Sequence, residues 1–196
     1  IALRQRARHD EALRDASAVR ADAVAAYGAQ SPFAARAAMV LGNVQAGLSR
    51  RDEAIASYRD AVAVYRASIG ATHPNTLRAS YNLAEMLAPD AARRAEALAL
   101  YRDTVAAAEE RFGTRSNAVV LFRLGYARLL LTDAQPAAAL ALLTTPAALG
   151  GFAIARPDNR RDYLDLLRRS HADADCTAKA ARADCASAAA LLAQPP

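Results

Sequence analysis

Apolar residues recur at three- and four-residue spacing along most of this chain, with short polar turns between the apolar stretches. Such spacing places them on one face of an amphipathic α-helix. Between residues 52 and 69 the apolar face consists of Ala54, Tyr58, Ala61, Val62, Tyr65 and Ile69. Hydrophobic residues make up 54% of the chain, and aromatic residues account for only 6% of it. Much of the rest of the hydrophobic residues is alanine, the strongest helix former. The pattern predicts an all-α protein whose core consists of many close helix contacts.

The apolar stretches predict pairs of helices. The first helix of each pair is predicted at residues 33–47, 75–87 and 117–131, and the second at residues 52–69, 92–112 and 136–149. Gly150, Gly151 and Pro157 are expected to interrupt the helical pattern. Residues 158–171 and 173–192 are expected to form further helices.

Glycine and proline mark the predicted helix ends. Gly70 and Gly113 follow apolar stretches, where a residue in the left-handed conformation closes a helix. Pro74 is expected to open the next helix at its first turn, with Thr72 or Asn75 as its cap.

The chain repeats itself with a period of 42 or 43 residues. At an offset of 42, Glu11 pairs with Glu53, Gly28 with Gly70, and Pro32 with Pro74. A third copy at an offset of 43 repeats the Tyr-Arg-Asp sequence of residues 58–60 at residues 101–103. A period of this length is typical of helical repeat proteins.

Each predicted first helix contains a leucine followed by a small residue, at Gly42, Ala84 and Gly125. A small residue thins the helix at the crossing point, so that the second helix can approach closely. We expect the groove to be filled from the second helices by Ala54, Ala97 and Ala137.

The linker between the first two complete units reads Gly70-Ala71-Thr72-His73-Pro74-Asn75-Thr76 and is followed by Asn82-Leu83-Ala84. Together with the small residues and the aromatic residues Tyr58 and Tyr101, it resembles the tetratricopeptide repeat, specifically the kinesin-light-chain subtype. Ile69 stands where that subtype has Leu, and the first linker has Ser31 in place of His. The third linker lacks both His and Pro. The resemblance covers roughly residues 10–150.

The resemblance implies a right-handed superhelix of antiparallel helix pairs. Residues 1–30 would contain the second helix of a truncated first repeat, and we expect the chain to be a segment of a longer protein. Residues 31–150 would form three helix pairs, and residues 151–196 a diverged repeat or capping helices. The resemblance also implies a bacterial-type, non-catalytic scaffold that binds a protein or peptide partner in a concave groove.

The sequence offers little candidate chemistry. His9, His73 and His171 lack the spacing of a metal site, and no nucleophile elbow or phosphate loop is present. The net charge of +5 comes almost entirely from arginine, with acidic residues interspersed, which favours solvated helix faces over a nucleic-acid track. We expect no enzyme activity, metal, cofactor or nucleic-acid partner. No apolar stretch reaches eighteen residues, so no membrane insertion by this segment is expected.

Cys176 and Cys185 are the only cysteines. On one continuous helix their separation would be about 13 Å, beyond disulfide reach, whereas a turn near residues 181–183 would bring them together. A disulfide would imply an oxidising compartment. Two buried free thiols are equally compatible with the sequence.

The first helices of such repeats line the concave groove. Positions at fixed distances from each small residue are expected to project into it, and these are Arg36, Met39, Asn43, Arg78, Tyr81, Glu85, Val119, Phe122 and Tyr126. Arginine and asparagine hold carboxylates or peptide backbone, and aromatic residues supply anchors. Burial of the apolar members between repeats is the alternative that the sequence leaves open.

The leading hypothesis, by analogy with the family, is a sensor or docking domain of a larger bacterial signalling protein, in the periplasm or the cytoplasm. One alternative is a homodimerisation module built on the alanine-rich helices. Another is binding of a small ligand or nucleic acid in the arginine-lined groove.

Overall fold

The computed structural model describes residues 2–176 and 183–193, with side chains from residue 8 onward. Within these residues all regular secondary structure is helical, and no strand is present. The helices are α1 Ala2–Tyr27, α2 Pro32–Gly47, α3 Arg51–Ile69, α4 Pro74–Leu87, α5 Arg94–Phe112, α6 Asn117–Thr132, α7 Pro136–Thr144, α8 Pro146–Ile154, α9 Pro157–Asp173 and α10 Ala183–Leu192. The prediction of an all-α protein made of helix pairs is confirmed.

The chain divides into two compact units, and the division falls inside α5. Unit 1 is Ile1–Ala97 and unit 2 is Leu98–Pro196. In unit 1, α2 packs against α1 and α3, and α3 packs against α4. The buried residues of α2 to α4 are mostly small or aliphatic, with three tyrosines among them: Tyr58, Tyr65 and Tyr81.

The helix ends of unit 1 follow the glycine and proline signals. Gly28 and Gly70 have φ angles of 83° and 94°, which a residue with a Cβ adopts only with strain. Pro74 opens α4 as predicted. The cap of α4 is His73, whose Nδ1 accepts a hydrogen bond from the amide of Asn75 at 3.2 Å. The expectation that Thr72 or Asn75 caps α4 is therefore wrong.

Unit 2 has its own apolar core. Helix α7 packs against α6 and α9, and α10 packs against α7 and α9. The core includes Leu124, Leu140, Leu143, Phe152, Tyr163, Leu167, Cys176 and Cys185. Gly113 has a φ of 73° before this bundle, as predicted.

The predicted helix at residues 136–149 is wrong, because the chain breaks between α7 and α8. Thr145 is extended, with φ −58° and ψ 148°, and its hydroxyl accepts a hydrogen bond from the amide of Ala148. Pro146 then opens α8, since proline has no N–H to continue the preceding helix. Gly150 and Gly151 lie inside α8 rather than breaking the chain.

Two further expectations concern the second half of the chain. Helix α9 runs from Pro157 to Asp173, close to the predicted residues 158–171. Ala137 is exposed, and Ala139 and Leu140 of the same helix are buried instead. Ala137 therefore does not fill a groove opposite Gly125.

No single helix among the described residues is both long enough and apolar enough to cross a membrane. Helices α7 and α8 pass that test only as a pair, and they are bent by 67° relative to each other.

Candidate partner-binding surface

The first helices of unit 1 carry very few charges. Helices α2 and α4 together contain three charged residues: Arg36, Arg78 and Glu85. Arg36 and Arg78 are exposed and occupy equivalent positions, 42 residues apart in the repeat. Neither arginine forms an ion pair with any residue that the structure describes. We call the exposed side of α2 and α4 around these two arginines the first-helix face.

The only carboxylate on the first-helix face is already engaged. Glu85 Oε1 accepts a hydrogen bond from Tyr81 Oη at 2.8 Å. This hydrogen bond from a tyrosine hydroxyl holds the Glu85 carboxylate in position. The two arginines are therefore left as the positive charges available to a ligand.

A tyrosine hydroxyl lies beneath the two arginines. Tyr65 of α3 is fully buried, and its Oη has no hydrogen-bond partner among the described residues. Burial raises the pKa of Tyr65, and the positive charges of Arg78 and Arg36 oppose that rise. A buried hydroxyl without a partner costs about 1–3 kcal/mol. The Tyr65 hydroxyl is therefore a hydrogen-bond donor, close to both arginines, that would gain from binding an acceptor.

A second polar cluster joins α3 to the same two helices. Tyr58 Oη of α3 donates to Asn43 Oδ1 at 2.7 Å, and Asn82 Nδ2 of α4 donates to the same oxygen at 3.2 Å. Burial raises the pKa of Tyr58 to about 12, and the hydrogen bond with Asn82 and the charge of Glu85 modify that shift in opposite directions. The cluster fixes Asn43 at the surface with both Oδ1 bonds used, which leaves its amide N–H groups for another acceptor.

Three other arginines of unit 1 are paired with acids of neighbouring elements. Arg20 of α1 pairs with Asp60 of α3 at 2.5 Å, and Arg59 of α3 pairs with Glu96 of α5 at 2.7 Å. Arg93 of the 3₁₀ turn Ala91–Arg93 pairs with Asp52 at 2.6 Å. Arg36 and Arg78 differ from these three arginines, because neither has an acidic partner among the described residues.

The apolar residues predicted for the groove are buried. Met39 and Tyr81 of unit 1 are 4% and 8% exposed. In unit 2, Val119 is fully buried, Phe122 is 6% exposed, and Tyr126 is half-buried with its ring stacked on Tyr101 at 6.2 Å. These side chains contribute to the packing of their own units, whereas Arg36, Asn43 and Arg78 are exposed.

The sequence analysis missed three members of these clusters: Tyr65, Tyr58 as a hydrogen-bond donor, and Asn82. Tyr65 reads as one more apolar position of α3. Its proximity to both arginines depends on how α2, α3 and α4 pack together. Asn82 carried a usable signal, because it is the Asn of the Asn-Leu-Ala step.

A buried arginine in unit 2 was also missed. Arg123 is 2% exposed, and its Nη2 donates to Glu109 Oε1 at 2.8 Å. Its Nη1 donates to the carbonyl oxygens of Thr114 and Ala147 at 3.3 and 3.2 Å. All three acceptors lie within unit 2, so Arg123 joins the end of α5, the following turn and the start of α8.

Two cavities lie beside α1. The smaller, of about 250 Å³, is lined largely by alanines of α2 and α3, with Arg20 and Asp60 at its edge. The larger is an open depression of about 590 Å³ along α1 and contains Ser17 and Arg20 as polar residues. Since ligand sites combine enclosure with several converging polar groups, these two cavities do not favour the small-ligand alternative.

The two cysteines are joined in a disulfide within unit 2. Cys176 follows the end of α9 and Cys185 lies in the first turn of α10, with a Cα–Cα distance of 5.5 Å. Both are nearly fully buried in the core of unit 2. The predicted turn near residues 181–183 falls largely outside the described residues.

Comparisons with known proteins agree with this architecture. Residues 47–110 match the tetratricopeptide repeat family model. This segment contains α3, α4 and most of α5. The resemblance predicted from the sequence is thus confirmed, and the chain carries tetratricopeptide repeat sequence.

The fold resembles solved kinesin light chain-like structures. A "putative kinesin light chain nearly identical TPR-like repeats" protein of Podosopora anserina has a TM-score of 0.72 at 16% identity, over 96% of this chain and 87% of that chain. A point variant of that protein gives 0.72 at 17% identity, over 96% and 86%. BtubC (BKLC) from P. vanneervenii gives 0.68 at 15% identity, over 94% and 76%. No curated protein sequence matches significantly. Repeat proteins of this fold are typically non-catalytic scaffolds for protein–protein interaction.

Proposed function

We propose that the chain is a non-catalytic scaffold that binds an acidic peptide segment of a protein partner on the first-helix face of unit 1. Arg36 and Arg78 would hold a carboxylate of the peptide, and Asn43 would bind its backbone. The observation that carries the proposal is the pair of exposed, equivalent arginines without acidic partners among the described residues.

The physical argument rests on charge and preorganisation. Helix α2 has no acidic residue, and the single acid of α4 is bonded to Tyr81. An approaching carboxylate therefore meets two guanidinium groups and a single carboxylate, Glu85, on these helices. Hydrogen bonds between arginine and carboxylate are charge-assisted and stronger than neutral ones. The Tyr65 hydroxyl would gain an acceptor if a carboxylate, or a water bound to it, reached the space between Arg36 and Arg78.

The partner is proposed to be a protein, since the fold family generally mediates protein contacts. The wider assignment, a sensor or docking domain of a larger bacterial signalling protein, follows from family analogy. The disulfide adds weight to the periplasmic version of that assignment, because structural disulfides persist in oxidising compartments.

Binding can be tested with a peptide array followed by titration in solution. The strongest-binding peptide would be resynthesised with each Glu or Asp replaced by its amide, and its affinity measured by fluorescence anisotropy. We expect an acidic peptide to bind with a Kd that rises at least about tenfold for Arg78→Ala, the loss of about 1.4 kcal/mol. Arg36→Ala should have a similar effect.

The matched control is Arg66→Ala. Arg66 is an exposed arginine near the end of α3 and is not part of the first-helix face, so this change removes the same charge and should alter the Kd less than about twofold. An equal loss of peptide affinity for Arg66→Ala and Arg78→Ala would mean that the net charge of the protein, and not the position of Arg78, determines binding. A peptide whose Kd does not change when its Glu and Asp residues are replaced by amides would overturn the proposal that the partner segment is acidic.

A further inference from the structure

The polar side chains of the first-helix face lie at two levels along the helices. On α2 they are Arg36 and Asn43, and on α4 they are Arg78 and Glu85, so that each pair is seven residues apart. Seven residues are almost two helical turns, so both members of a pair lie on the same side of their helix, about 10 Å apart along its axis. The side of α2 and α4 that carries the two arginines therefore carries Asn43 and Glu85 as well, two turns further on.

The tyrosines of α3 lie near the same two levels. Tyr65 and Tyr58 are also seven residues apart, and Tyr58 Oη donates a hydrogen bond to Asn43 Oδ1. Burial raises the pKa of both tyrosines. The charges of the two arginines oppose this rise at Tyr65, whereas the charge of Glu85 adds to it at Tyr58. We call Arg36, Arg78 and Tyr65 the positive level, and Asn43, Glu85 and Tyr58 the negative level.

Glu85 keeps its negative charge at the negative level. Its Oε1 accepts a hydrogen bond from Tyr81 Oη, and this neutral donor positions the carboxylate without neutralising it. The carboxylate forms no ion pair with any residue that the structure describes. A carboxylate has about four acceptor sites, so Glu85 can accept further hydrogen bonds. Because the side chain is only half-buried, a cation of a ligand can approach it.

The two levels do not neutralise each other. Their separation of about 10 Å is close to the distance over which physiological salt screens exposed charges. A bound peptide therefore meets positive charge at one level and negative charge at the other. The first-helix face is thus polar along its length, and a peptide with two opposite charges at the matching distance complements it better than a uniformly acidic peptide does.

We propose that the first-helix face selects a peptide in which an acidic residue and a basic residue are three positions apart. This inference rests on the proposed function and adds a second charge and a spacing to it. The acidic side chain binds at the positive level, between Arg36 and Arg78, and the basic side chain binds Glu85. Glu85 is therefore a residue that determines which partner segment is bound.

The spacing follows from the distance between the two levels. A helical surface offers no strand edge, and extended peptides that do not pair with a strand commonly adopt the polyproline II conformation. This conformation rises about 3.1 Å per residue with three residues per turn, so side chains three positions apart point to the same side and lie about 9 Å apart. That distance is close to the separation of about 10 Å between the levels. A spacing of two or four residues would direct one of the two side chains away from the face.

A positional-scanning peptide library tests the spacing. Each pool contains one Asp and one Lys, with the Lys at each position within about five residues on either side and uncharged amino acids elsewhere. Fluorescence anisotropy with the complete chain should give the lowest Kd for a Lys three positions from the Asp. This Kd should be about three- to fivefold below that of the pool with Ser at the same position, as expected for a partly exposed ion pair. Glu at that position should raise the Kd by a similar factor.

Glu85→Gln tests the residue responsible. Glutamine removes the charge but keeps an oxygen that can accept the hydrogen bond from Tyr81, and circular dichroism would verify the fold. The variant should lose the preference for Lys and keep the requirement for Asp. Glu85→Lys should reverse the preference, so that Glu three positions from the Asp binds more tightly than Lys. The matched control is Glu53→Gln, because Glu53 is exposed in the first turn of α3 and pairs with Arg50. This change should leave the preference for Lys intact.

The outcomes separate this inference from the proposed function. If pools with Asp bind no better than pools without it, or if Arg78→Ala has no effect, the proposed function fails and the inference fails with it. If Asp is required but no spacing of Lys is preferred, the inference alone is overturned. It is also overturned if Glu85→Gln keeps the preference for Lys, or if Glu53→Gln removes the preference equally, since net charge would then explain it.

Discussion

The backbone of Gly42 lies directly against the ring of Tyr58. A Cβ atom on residue 42 would come within 2.8 Å of Tyr58 Cε1 and 2.9 Å of Cδ1. The ring has little freedom to move, because its Oη is bonded to Asn43 on the same helix as Gly42. The predicted groove at the small residue therefore exists in this helix pair, and it receives Tyr58.

We expect Gly42→Ala to destabilise the protein by about 1–2 kcal/mol. Overpacking costs about 1–3 kcal/mol, and the better helix propensity of alanine recovers up to about 1 kcal/mol. Gly47 of the same helix is the control, since a Cβ there meets nothing within 4 Å. Gly47→Ala should be neutral or slightly stabilising. Urea unfolding of the two variants checks the difference, and equal stabilities would contradict the close contact.

Phenylalanine substitutions at the two buried tyrosines of α3 should change the free energy of unfolding differently. Tyr58→Phe removes a hydroxyl bonded to Asn43 and should cost about 0.5–1.5 kcal/mol. Tyr65→Phe removes a hydroxyl with no partner among the described residues, so it should be neutral or stabilising. The free energies of unfolding of the two variants give the comparison. A loss at Tyr65 as large as that at Tyr58 would mean that its hydroxyl has an acceptor, such as a bound water.

Tyr58 should also make the protein sensitive to alkaline pH. Burial raises its pKa from 10.0 to about 12 in the folded state, so the unfolded chain releases this proton first. The stabilisation is complete below pH 10 and is lost as the pH rises toward 12, at up to about 1.4 kcal/mol per pH unit. Unfolding free energies at several pH values between 9 and 11 should fall less steeply for Tyr58→Phe than for the wild type. The same decrease in unfolding free energy with pH in both proteins would contradict the raised pKa of Tyr58.

Local signals in the sequence predicted the helix ends well. Gly70 and Gly113 adopt the positive φ that was predicted for them, because the conformation at a helix end depends on a few neighbouring residues. The break before Pro146 was equally local, and Thr145-Pro146 has the form of a cap followed by a first-turn proline. It was missed because the apolar pattern continues through it.

The candidate surface was harder to predict for a different reason. Helical periodicity tells which residues share a face, but the exposure of that face depends on which other helices cover it. Met39 and Arg36 lie three residues apart on α2, yet one is buried and the other exposed. The free state of Arg36 and Arg78, and the position of the Tyr65 hydroxyl beside them, emerge only from the packing of three helices.

Arg123 should be a strong stabilising contact of unit 2. Its guanidinium is 2% exposed and is bonded to Glu109 and two carbonyl oxygens, so Arg123→Met should cost about 2–4 kcal/mol. The control on the same helix is Arg128→Met, because Arg128 is half exposed and lies 3.8 Å from Asp162. That change should cost less than about 0.5 kcal/mol. Comparable urea midpoints for the two variants would contradict a stabilising role for the contacts of Arg123.

The disulfide between Cys176 and Cys185 should hold α10 against the rest of unit 2. The bridge closes a loop of nine residues, which corresponds to about 2–3 kcal/mol of restricted unfolded-state entropy. Replacing both cysteines by serine should therefore increase hydrogen exchange in α10 at least tenfold and leave exchange in α4 of unit 1 unchanged. Because the two sulfurs are joined in a disulfide, alkylation should require prior reduction, which intact mass measures directly. Unchanged exchange in α10 would mean that its apolar contacts with α7 and α9 hold it without the bridge.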